Sequence, residues 1–280
     1  MKKIIYNTSL FIFTCVFSVA FTASVMADGP RSDGATPKCV HTKMLKKSRE
    51  KGADINAKDS KGFTALMEAA WFGKTDMISI LIDEGAYLHA KDSDGYTALA
   101  LAATKGKIDV VKALIKAGAK IDEPISDGAT PFMLAALYAW PNVMQALIDA
   151  GAKVDATNKN GISAIIHTSV NGCIECIKIL IGVGVDVNST GNKGETALKT
   201  AIMYERTEAV WLLVKSGAKL DMANSEGLTA LIVAAKKGNY DVAKYLLSKG
   251  ADKNMTDKSG KSALDYATEA ENKELMELLK

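Results

Sequence analysis

The sequence predicts an all-α repeat solenoid, a stack of helix-turn-helix units linked by β-turn or hairpin loops. Three observations carry this. Gly62, Gly95, Gly128, Gly161, Gly194, Gly227 and Gly260 recur every 33 residues. Each opens a similar segment: GFTALMEAA, GYTALALAA, GATPFMLAA, GISAIIHTS, GETALKTAI, GLTALIVAA and GKSALDYAT. A second glycine follows 23 positions later at Gly85, Gly118, Gly151, Gly184, Gly217 and Gly250. A fixed period of this length marks stacked units, each leaving an apolar face that only a neighbour covers.

The unit 58–90 shows why each element forms. Asp59-Ser60-Lys61-Gly62 is a turn, with glycine where positive φ is needed. Thr64 is placed to cap a first helix, whose Leu66, Ala69 and Ala70 fall on one face, the alanines permitting close approach. Gly73 turns the chain. Met77, Ile78, Leu81 and Ile82 stripe the second helix, and Gly85 ends it. Period and T-x-L-x-x-A-A core together make the chain from about Cys39 to Lys280 resemble the ankyrin-repeat family, in which a β-turn leads into two antiparallel helices.

In this reading, residues 1–27 are a signal peptide, 28–40 a flexible leader and 41–57 an N-terminal capping partial repeat. Six full repeats span 58–90, 91–123, 124–156, 157–189, 190–222 and 223–255, and 256–280 is a C-terminal cap. The lapses from the pattern are informative. Ala139, Glu205 and Glu271 stand where other units have the inter-helix glycine, so those turns are expected to be strained or reshaped. Thr168-Ser169 replaces the Ala-Ala pair, and Pro141 sits just inside a helix start, where its missing amide is harmless.

The chain is 48% hydrophobic and 24% charged, an ordinary folded composition. Two of its three net positive charges sit at Lys2 and Lys3, so no nucleic-acid partner follows from charge. The N-terminus has a basic start, an apolar stretch from about Leu10 to Ala20 and small residues up to Val25-Met26-Ala27. This order reads as an export signal cleaved after Ala27, the alternative being a retained membrane anchor. The expected location is the periplasm or the extracellular space, with no membrane contact after cleavage. Three cysteines then remain, Cys39, Cys173 and Cys176, an odd number for an oxidising compartment.

Enzymatic signatures fail. Gly73-Lys74-Thr75 and Gly260-Lys261-Ser262 resemble the end of a phosphate-binding loop, but Glu68 and Met255 occupy the place of its first glycine. His41, His89 and His167 take unrelated positions in the period. Cys173 and Cys176 are the one constellation to weigh: inert or incidentally oxidised thiols are the first reading, with a local disulfide, or a metal site for which His167 would supply only a third ligand, as alternatives. No cofactor and no metal are expected.

What is left is surface. The resemblance implies that partners lie along the turn tips and the concave face formed by the first helices. Carried over by aligned position, it assigns protein binding to Phe63, Trp71, Phe72, Tyr96, Thr104, Lys105, Leu137 and Tyr138. Aromatic side chains gathered on one surface favour a protein partner, with core filling as the competing reading. The function expected is a non-catalytic, exported, monomeric protein that binds another protein. The alternative is a redox or metal-linked role through Cys173 and Cys176.

Overall fold

The computed structural model describes residue 52 and residues 54–280. The expected signal peptide, the leader and all but the end of the opening cap lie outside the described residues. Among the described residues the chain forms fourteen α-helices and no strand, with isolated bridges only at Thr157–Ser163 and Thr256–Ser262. It divides into two compact units, the first running to Ser126 and the second from Asp127 to Lys280.

The first unit contains α1 (Ala65–Phe72), α2 (Thr75–Asp83), α3 (Ala98–Thr104) and α4 (Ile108–Lys116). The first helices α1 and α3 pack side by side, as do the second helices α2 and α4. Thr64 begins α1, its hydroxyl accepting from the Met67 amide at 3.3 Å. Leu66, Ala70, Ile78, Leu81, Leu99, Val111 and Leu114 are fully buried, the stripe that a helical period places on one face. At the end of α2 the Ala86 amide donates to the Leu81 carbonyl at 2.9 Å and that of Gly85 to Ile82 at 3.0 Å. That pair of bonds closes the helix with a left-handed glycine just beyond it.

The tips are organised by aspartates. Asp59 Oδ1 accepts from the amides of Lys61 (2.9 Å) and Phe63 (2.7 Å), and Asp92 repeats this with Asp94 and Tyr96. One backbone bond then ties each tip to the next, from Ser93 to the Lys61 carbonyl (3.0 Å) and from Ser126 to that of Asp94 (2.9 Å). Gly95 lies under this link, and a Cβ there would stand 2.7 Å from the Ser126 nitrogen.

The second unit holds α5 (Pro131–Leu137), α6 (Pro141–Asp149), α7 (Ala164–Asn171), α8 (Ile174–Gly182), α9 (Ala197–Met203), α10 (Thr207–Lys215), α11 (Ala230–Lys236), α12 (Tyr240–Ser248), α13 (Ala263–Glu269) and α14 (Lys273–Leu279). First helices α5, α7, α9, α11 and α13 follow one another in contact. Thr168 and Ser169 are fully buried without penalty, since both hydroxyls donate to the Ile165 carbonyl, at 2.9 and 2.8 Å. Pro141 is in the first turn of α6. Ala139, Glu205 and Glu271 have φ of 60°, 58° and 52°. The expected strain is present, but the turns are not reshaped: each non-glycine residue is held in the glycine conformation by the helices on either side.

Candidate functional site

In the first unit the side chains assigned to binding sit at the C-terminal ends of α1 and α3 and at the tips before them. Trp71, in the last turn of α1, is half-buried, with the Lys105 ammonium 3.7 Å from its ring centroid. That distance puts the cation in the attractive field of the ring and holds both in place. Phe72 next to it is 50% exposed. Phe63 and Tyr96 are half-buried, their backbones fixed by the Asp59 and Asp92 turns. Thr104 is a correction: it is buried, and its hydroxyl donates to the Ala100 carbonyl at 2.8 Å, so it offers no face to a partner. All seven residues of α3 are buried, Thr104 with them.

Glu68 adds an unforeseen feature to this unit. It is buried on α1, with Oε2 lacking any hydrogen-bond partner. Burial first, and then the nearby Asp59 carboxylate, push its pKa above the usual carboxylate range.

In the second unit Tyr138 is as exposed as Phe72, and Leu137 is half-buried. Met203 and Tyr204 occupy the same positions of the period and are also exposed. Trp140 here and Tyr87 in the first unit are exposed too, and the sequence reading passed over them. Trp211 was missed as well: it meets the Tyr245 ring edge-on at 4.2 Å between centroids, in an open groove shared with Glu208, Lys215 and Lys249. Its signal was available, because the aligned positions carry Ser79, Lys112, Gln145, Lys178 and Lys244.

Lys199 is the one buried cation of the second unit among the described residues. It stands on α9 where other units have Met67, Ala100, Met133, Ile166 and Ile232. Its ammonium donates to the Met222 carbonyl at 2.8 Å, and desolvation, only partly opposed by Glu195, lowers its pKa to about 8.

Cys173 and Cys176 are joined by a disulfide, with Cα atoms 5.3 Å apart. This is the local disulfide that the sequence left as an alternative, and it corrects only the reading of two free, inert thiols. One turn of helix start brings positions i and i+3 within bridging distance. His167 is half-buried elsewhere on α7, with its pKa lowered by burial. Among the described residues no three His, Cys, Asp or Glu side chains converge as metal ligands, and no helix is long and apolar enough to cross a membrane.

The family model for ankyrin repeats in three copies matches residues 35–125, 132–224, 170–257 and 216–280. The chain belongs to the ankyrin-repeat family. The crystal structure of the human ASB11 ankyrin repeat domain is similar at 28% identity and a TM-score of 0.71, over 78% of this chain and 96% of that one. No curated protein matches. Ankyrin repeats are protein-interaction scaffolds, and no catalytic family is indicated.

Proposed function

We propose that this ankyrin-repeat protein is an exported, non-catalytic, monomeric binder of another protein, and that it engages its partner through the ends of its first helices. The observation that carries the reading is the repeated exposure of large side chains there: Phe72 in the first unit, and Tyr138, Met203 and Tyr204 in the second. The rings of Phe72, Tyr138 and Tyr204 have few rotatable bonds to order, which makes them effective anchors. Trp71 braced by Lys105 adds a pre-ordered aromatic surface in the first unit. The N-terminal order of basic, apolar and small residues supports export to the periplasm or beyond.

Two measurements test this. Protein sequencing of the secreted or periplasmic fraction should begin at Asp28, whereas Met1 retained in membranes would replace export with anchoring. A photo-crosslinking residue placed at position 72 or 138 in living cells should form a discrete adduct with one protein, and the same residue at the exposed second-helix position Lys178 should not. Equal cross-linking at all three positions would remove the first-helix ends from the binding surface.

A further inference from the structure

We propose that Cys173 and Cys176 form a redox-active pair that exchanges with dithiols of a client protein. Cys173 caps the start of α8 and is partly exposed, whereas Cys176, one turn on, is fully buried. The two sulfurs are therefore unequal in access. The Cys176 amide points at Cys173 Sγ over 3.2 Å, and Asn171 Oδ1 fixes the Cys173 amide at 2.9 Å. A positive charge comes from the residue before α10: Arg206 Nε donates to the Val170 carbonyl at 3.0 Å, and its stem crosses Gly172, the residue before Cys173. Opposing it, Glu175 lies exposed in the first turn of α8. The amides of a helix start favour a thiolate at Cys173 once the bridge opens.

The bridge is not needed to build this turn. The corresponding pairs Lys74 and Met77, Lys107 and Val110, Trp140 and Val143, Arg206 and Ala209, and Asn239 and Val242 start the same helix with no covalent link. The reaction balances as ordinary thiol–disulfide exchange. A client thiolate attacks the more accessible Cys173 Sγ, the intramolecular S–S bond breaks, and Cys176 leaves with the electron pair and takes a proton. The second client thiolate then attacks the client sulfur of the mixed disulfide and releases Cys173 as the stabilised thiolate. The client dithiol is oxidised to a disulfide, and the Cys173–Cys176 disulfide is reduced to a dithiol by the same two electrons.

The test uses the full folded chain in glutathione buffers of graded poise, followed by acid quench, alkylation and peptide mapping, which separates this pair from Cys15 and Cys39. We expect the bridge to open without denaturant, and Cys173 of the reduced protein to be alkylated at least tenfold faster than Cys176. A Cys176→Ser variant, checked for native circular dichroism, should retain glutathione on Cys173. A bridge that opens only in denaturant, or two thiols reacting at equal rates in the wild-type chain, would overturn the proposal. The wild-type mapping decides the matter even where the variant does not fold.

Discussion

Ala139, Glu205 and Glu271 show how far a single residue can be read. Each stands where the period calls for glycine, and each takes positive φ. The left-handed conformation costs a side-chain residue about 1–2 kcal/mol, part of which glycine returns through its greater freedom when unfolded. Ala139→Gly should therefore raise stability by about 0.5–1 kcal/mol in urea denaturation, and an unchanged or lower midpoint would show that the turn is unstrained. Lys199 was not legible in the same way. Its column is apolar in five other units, but the acceptor that lets a lysine stay there, the Met222 carbonyl, lies 23 positions on and is placed by the fold. A lysine whose folded pKa lies near 8, below its unfolded value, destabilises the fold at neutral pH, and that cost fades as pH rises from 8 towards 10.5. Lys199→Met should stabilise by about 1–2 kcal/mol at pH 7, with a smaller gain at pH 10. A lower melting temperature at pH 7 would show that the bond to Met222 outweighs desolvation.

At the scale of elements, repetition made the helices readable. Thr64, Thr97, Thr130, Thr196 and Thr229 all cap first helices through their side chains, so one capping argument served for five units, whereas Ser163 at the same position of α7 makes no side-chain cap bond. The glycines look equivalent in sequence and are not so in space. A Cβ at Gly95 would meet the Ser126 backbone, whereas one at Gly118 meets nothing within 4 Å, although both have positive φ. Gly95→Ala should cost clearly more than Gly118→Ala, which is expected to lose only about 1 kcal/mol. Equal losses in matched denaturation curves would mean that the tip beside Gly95 yields freely. The candidate site was legible only by column: Phe72 and Tyr138 proved exposed, Thr104 proved buried. Whether an end-of-helix side chain faces solvent depends on the neighbouring unit, as Lys105 over Trp71 shows.

For the whole molecule, a stack has no central core, and stability resides in the faces between neighbours. Truncation after Met222 removes α11 to α14 and uncovers the face of α9 that packs on α11. It should lower the melting temperature or solubility markedly, while deletion of residues 28–38 should change little; equal effects would contradict interface-based stability. The functional claim rests on the exposed rings at the first-helix ends. It is tested most directly by affinity capture from extracts of the native cell, comparing the wild-type chain with a Phe72→Ala, Tyr138→Ala, Tyr204→Ala variant. The account predicts that a discrete wild-type partner falls at least tenfold in the variant while helical circular dichroism and melting temperature stay nearly unchanged. Undiminished capture by the folded variant would contradict it.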